Sequence, residues 1–403
     1  MTAAIPAATT APITAPLATP VGDRASRLES YLAADPGNYP LLCDLAGLYL
    51  ETDDKARARP LLERALQARA DDPQAMYQMA VLDFFEHRPQ ESLARTHTLL
   101  AAGLADPVVQ YQHACTLEQL GRHEEAEPLF KALLDAQQLT PAAVDLPGLP
   151  GLYVRSLHFQ DKLAEAEAFV QACLARAPDD TAMKGMLSLL YLDQDKNEEA
   201  LALAGHVLQT QPDNRDALVA KATALLAFED AEAAGKVFEH AVAVAPVNGR
   251  AWLGWGLSDM MRGDLIPAQH RLRTALTHMP DNLGAWNTLA WTQILQEDLD
   301  GASATLAECL QANENFGETW GSMAVVAALR QQWDEAAELS KKAIRLQPET
   351  FAGRFAQSLL AEHRGRPERA SALMQAMLNQ VKVPGGGTLA DMARRVASRP
   401  RSK

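Results

Sequence analysis

The residues of this 403-residue chain whose types and spacing could do chemistry lie in a few short stretches. "QHAC" sets His113 two residues from Cys115, the nearest approach to a metal-binding pair; ordinary helical packing accounts for both. "GWGLSD" at 254–259 copies part of a dinucleotide fingerprint, yet no strand precedes it and both glycines suit close helix packing. The acidic runs "HEEAE" (123–127) and "NEEA" (197–200) fall where helices begin, so they complement a helix dipole rather than form an acid–base pair. No GxxxxGKS/T, HExxH or GxSxG motif occurs. The expectation is a chain that is not an enzyme and has no catalytic residue, metal or cofactor.

Composition narrows the partners. The chain is 48% hydrophobic and 22% charged, an ordinary globular balance. A net charge of −14 and a pI near 5.2 argue against nucleic acid, which needs a basic face. No apolar run approaches the roughly 18–20 residues of a membrane helix, so no membrane insertion is expected. Residues 1–22, rich in Ala, Thr and Pro, lack a basic n-region, lack arginine and cannot build a core; they read as a disordered tail rather than a leader. Cys43, Cys115, Cys173 and Cys309 form no CxxC pair and fit reduced thiols in a cytoplasmic protein. Richness in Ala, Leu and Arg points to a GC-rich bacterial coding sequence.

Internal repeats decide the fold. Trp252, Trp286 and Trp320 are spaced by 34 residues, as are Pro178, Pro212, Pro246 and Pro280, with Glu314 and Pro348 continuing the row. Small residues keep the same phase: Ser188, Ala222, Gly256, Ala290, Ala324 and Ser358 in one row, and Ala200, Ala234, Ala268, Ala302, Ala336 and Ala370 in another. Earlier members are Ala46 with Ala58, Ala80 with Ser92, Ala114 with Ala126, and the larger Val154 with Ala166. Small residues at these sites let two helices approach, and each proline ends a second helix before an Asp or Asn that can cap the next first helix.

This pattern resembles the tetratricopeptide repeat (TPR) family, whose unit is an antiparallel helix pair. Counted from the first helix, repeats begin at Tyr39, Pro73, Pro107, Pro147, Thr181, Arg215, Gly249, Leu283, Gly317 and Phe351. The resemblance implies an all-α, right-handed α-solenoid of about ten pairs. Residues 23–140 hold a half-repeat cap and repeats one to three, and 147–380 hold repeats four to ten. Between them 141–146 is an inserted linker within the Pro-rich stretch 139–151, either a longer loop or a hinge. Residues 381–403 form a Gly-rich linker and then a capping helix or basic tail, with Leu389, Met392, Ala393 and Val396 on one helical face.

Function is expected on the concave face. In TPR arrays positions 2, 5, 9, 12 and 13 of the first helices line it, so the resemblance selects Leu189, Leu192, Val219, Leu226, Leu253, Leu257, Met260, Asn287, Trp291, Ile294, Val325, Phe355 and Leu359 as a partner-binding groove. Trp286, at position 4, belongs to internal packing, whereas Trp291, at position 9, should face the groove. A strip so poor in charge suits an apolar helix or extended protein segment. Tyr77, Phe84 and Tyr111 in the early repeats form a second candidate surface. Asn287 and Arg155 alone do not make the basic clamp that grips acidic chaperone tails. The expected function is a non-enzymatic adaptor or scaffold; the alternatives are a secretion or assembly chaperone and a regulator responsive to a peptide or small ligand. Nothing in the residues fixes the oligomeric state.

Overall fold

The computed structural model describes residues 21–139 and 146–380. The expected tail up to residue 20, most of the 141–146 linker and the whole 381–403 segment lie outside the described residues. Among the described residues there are 21 α-helices and no strand. They form two compact units, divided between Phe169 and Val170, not within the 139–151 stretch.

The first unit contains α1 (Val21–Ala34), α2 (Tyr39–Glu51), α3 (Lys55–Ala68), α4 (Pro73–Phe85), α5 (Pro89–Ala101), α6 (Pro107–Gln119), α7 (His123–Leu139), α8 (Leu149–Phe159) and the opening of α9 (Leu163–Arg176). The second contains the rest of α9, then α10 (Thr181–Asp193), α11 (Asn197–Thr210), α12 (Arg215–Ala227), α13 (Ala231–Val244), α14 (Gly249–Arg262), α15 (Leu265–His278), α16 (Leu283–Leu295), α17 (Leu299–Ala312), α18 (Gly317–Leu329), α19 (Trp333–Leu346), α20 (Phe351–His363) and α21 (Pro367–Gln380). Each unit is a stretch of α-solenoid in which antiparallel pairs stack on one another. First helices start where the 34-residue register puts them, except that α8 opens at Leu149 rather than Pro147. In the first unit α1 packs Ala25 and Leu28 onto the α2–α3 pair, the place of a lone second helix; it opens at Val21, just inside the expected tail boundary.

Small residues make the pairs possible. From Ala46 and Ala58 through Ala324 and Ala336 the two small positions are buried, because a larger side chain would force the backbones apart. A Cβ on Gly256 would meet Leu272 Cγ at 2.8 Å, so the α14–α15 contact excludes even alanine without movement. Leu62, Phe130, Phe238, Leu272 and Leu306 fill the space alongside and are themselves fully buried.

The turn inside every pair is built the same way. Position 15 carries positive φ throughout: Gly121, Gly263 and Gly365 where it is glycine, and Asp53, His87, Asp161, Asp195, Glu229, Glu297 and Gln331 where it is not. The next N–H then reaches back to the carbonyl five residues earlier, as Asp54 does to Tyr49 (2.8 Å) and Asp264 to Asp259 (2.9 Å). That satisfies a helix-end carbonyl and reverses the chain.

Between pairs, side-chain caps start the next helix. Asp72, Asp106, Asp180, Asn214, Asn248 and Asn282 each accept hydrogen bonds from the first-turn N–H groups of the helix that follows. The position-4 tryptophans add a stitch. Trp252, Trp286 and Trp320 donate their indole N–H to the carbonyls of Pro246, Pro280 and Glu314 at 2.7–2.8 Å, at the end of the preceding repeat. Arg354 takes the same role on Pro348. Polar bridges from a buried position 11 to position 23 tie three pairs internally: Asp83 to Arg95 (2.9 Å), Asp259 to Arg271, and Thr305 to Gln293 (2.8 Å).

Candidate functional site

The inner helices of the second unit, α10, α12, α14, α16, α18 and α20, carry the expected groove residues, but neighbouring repeats cover part of them. Leu192, Val219, Asn287, Ile294 and Val325, expected to line the groove, are buried, because neighbouring helices pack over them. Leu189, Leu226, Leu253, Leu257, Met260, Trp291, Phe355 and Leu359 are half-buried.

Asn287 shows why position 5 turned inward. Its Nδ2 donates to the Leu283 carbonyl (2.9 Å) and to Thr319 Oγ1 (3.0 Å), while Ser322 Oγ donates to its Oδ1 (3.0 Å). Trp291 Nε1 donates to the same Ser322 oxygen at 3.1 Å, and Cys309 Sγ lies 3.3 Å from Thr319 Oγ1. These contacts knit α16 and α17 to α18. A polar amide is stable there because every strong donor and acceptor it offers is met.

Trp291 also reaches beyond its neighbour. Its ring lies 6.0 Å from Phe351 and 5.9 Å from Phe355, both on α20, one repeat past α18. The small inner face of α18, with Gly321, Val325 and Ala328, leaves room for this; a Cβ on Gly321 would run into the backbone of Ala352 and Gly353. Leu189 and Leu359 pack against their local clusters in a similar way.

A second next-nearest bridge lies nearer the start of the unit. Arg250, position 2 of α14, grips Asp193, position 13 of α10, through two bonds of 3.1 and 2.6 Å, skipping the repeat between them. Both bridges run from the later half of a first helix to the early half of the first helix two repeats on. Leu226 is on α12, the helix that the Asp193–Arg250 bridge spans, and Leu253, Leu257 and Met260 are on α14, which carries Arg250; all four are half-buried.

One row was missed in the sequence although the register contained it. Position 13 places Met261 (42% exposed), Leu295 (53%) and Leu329 (46%) at the C-terminal ends of α14, α16 and α18. Three consecutive repeats therefore show a large apolar side chain to solvent at one matched site. Phe228, one residue further along its repeat, is exposed as well.

The second candidate surface lies in the first unit and is more internal than expected. Tyr77 packs against Met76, Leu99 and Val109, and burial pushes its phenol well above the usual range. Tyr111 donates to the Pro147 carbonyl at 2.6 Å, pinning one end of the inserted stretch. Phe84 meets Phe85 edge-on at 5.4 Å. Cys115, beside Tyr111, is pushed up to about 12 by burial, which keeps it a neutral thiol. His113 turns instead to Thr96, with Nδ1 2.8 Å from Oγ1, so the two residues of "QHAC" serve separate contacts. Among the described residues no three His, Cys, Asp or Glu side chains are grouped to hold a metal ion, and no helix is long and apolar enough to cross a membrane.

Three family models, each described as tetratricopeptide repeat, match residues 25–82 and 260–324, residues 185–248 and 323–386, and residues 108–138. The chain belongs to the tetratricopeptide repeat family. Solved structures similar to this TPR chain include the APC/C hetero-tetramer Cut9–Hcn1, with TM-score 0.49 and 14% identity over 89% of this chain and 90% of that one. A tetratricopeptide repeat protein from Parabacteroides merdae ATCC 43184 aligns with TM-score 0.42 and 18% identity over 63% of this chain and 98% of its own. MamA aligns with TM-score 0.37 and 16% identity over 40% and 93%. No curated protein sequence matches this TPR chain.

Proposed function

We propose that this TPR protein is a non-enzymatic, cytoplasmic scaffold that holds an apolar segment of a partner protein on the inner helices of its second unit. The observation that carries the reading is the half-buried apolar row of Leu226, Leu253, Leu257 and Met260, together with the exposed Met261, Leu295 and Leu329 at position 13. Water gains nothing from such a row, and a partner burying one Leu or Met there gains roughly 1.5–3 kcal/mol before association costs. A chaperone for hydrophobic client segments is the second reading. It is favoured by the adjacent methionines Met260 and Met261, whose unbranched, polarizable side chains adapt to differing guests.

The test is affinity capture with Leu257→Asp and Leu295→Asp combined, compared with the unaltered chain. Partners should be lost while helicity and melting stay unchanged. Retention of every partner refutes the site, and unfolding of the array shows that the row is core.

A further inference from the structure

We infer that the Asp193–Arg250 ion pair is a latch that sets how far apart the fifth and seventh repeats stand, and so how open the wall at Leu226, Leu253 and Leu257 is. This rests on reading that wall as the binding surface. Neighbouring repeats are fastened by continuous apolar packing, as Ala217 and Ala220 of α12 are packed against Ala204 and Val207 of α11. The ion pair does something else: it joins residues 57 apart in sequence, on α10 and α14, across the intervening repeat. A bidentate guanidinium–carboxylate contact has a defined geometry and draws two helices to one separation.

Its setting makes it reversible. The side chains of Arg250 and Asp193 are 38% and 26% exposed, so water and salt compete for both charges. The other next-nearest bridge is built differently. Trp291 has its indole N–H bound to Ser322 and its ring against two phenylalanines, contacts that salt does not weaken. One end of the wall is thus fixed by aromatic packing, and the other is held by charge. When the ion pair opens, α10 and α14 are free to separate, and Leu226 on α12 with Leu253 and Leu257 on α14 meet solvent or a guest.

The full chain tests this with nitroxides on cysteines introduced at the exposed His206 and Arg273, on the second helices of the fifth and seventh repeats, in a Cys115→Ala, Cys173→Ala background. In about 0.1 M salt a single narrow distance is expected. Arg250→Ala should lengthen and broaden it, and so should about 1 M salt without any substitution, because the screening length falls from roughly 10 to 3 Å. Exchanging the charges (Asp193→Arg with Arg250→Asp) should restore the narrow distance. Emission of anilinonaphthalene sulfonate should rise about twofold in the opened states, and Leu257→Asp should remove the rise. Distances unmoved by Arg250→Ala and by salt overturn the latch while leaving the scaffold reading to its own capture test. Longer distances without added dye emission overturn the claim that the latch governs the wall.

Discussion

Replacing Asn287 by alanine separates its two roles, wall residue or buried tie. The side chain is 5% exposed and joins α16 to α18 through Thr319 and Ser322. Truncation removes both bonds. Ser322 retains Trp291 and Thr319 retains Cys309, so each loss falls near the low end of the usual range, about 1 kcal/mol. The emptied amide volume adds roughly 1 kcal/mol if the helices do not collapse onto it. The expected destabilisation is therefore about 2–3 kcal/mol, concentrated at one inter-repeat interface. In a stacked array such a loss weakens nearest-neighbour coupling, so urea unfolding followed by circular dichroism should lose steepness as well as midpoint. A double-mutant cycle with Ser322→Ala should return a coupling of about 1 kcal/mol. If Asn287→Ala stays within about 0.5 kcal/mol of the unaltered chain while partner capture fails, the amide faces a guest and the packing argument is wrong.

Two further outcomes follow from the turns and from a half-buried histidine. Gln331 sits at φ 62°, so Gln331→Gly should change stability by no more than about 0.5 kcal/mol, whereas Gln331→Val should cost roughly 1–2 kcal/mol in thermal or urea unfolding. Equal effects of the two would show that the backbone is not held left-handed there. His113 has its pKa lowered by burial, then by His97 and Arg122, so the fold prefers the neutral ring. The unfolded chain binds the proton more readily, which makes this contribution complete above the ordinary value of 6.5 and lost as pH falls below it. His113→Gln should flatten the stability difference between about pH 7.5 and pH 5; an unchanged slope would place the titrating group elsewhere.

The helix pairs were legible because their determinants are local and recur. A small residue such as Ala290 or Ala302, a terminating Pro280 and a capping Asn282 act within one repeat or on the next, so a single register displays them all. The wall was only partly legible. Asn287 and Val325 hold positions that the resemblance assigns to the concave face, yet whether such a position is open depends on how tightly successive pairs curve. That curvature is expressed in contacts such as Asp193 with Arg250 and Trp291 with Phe355, which a one-repeat pattern does not contain. The exposed row at position 13 was different. Met261, Leu295 and Leu329 stood in phase and needed only to be read alongside positions 5, 9 and 12.

The tryptophan stitches have a consequence for how the chain could have grown. Their acceptor is a main-chain oxygen, available whether the residue there is Pro246, Pro280 or Glu314. A copied block of 34 residues carrying its own indole would find a matching oxygen on whatever block came before it. Lengthening by duplication would then require no compensating substitution at the new seam, and blocks could be reordered in the gene without leaving a donor stranded.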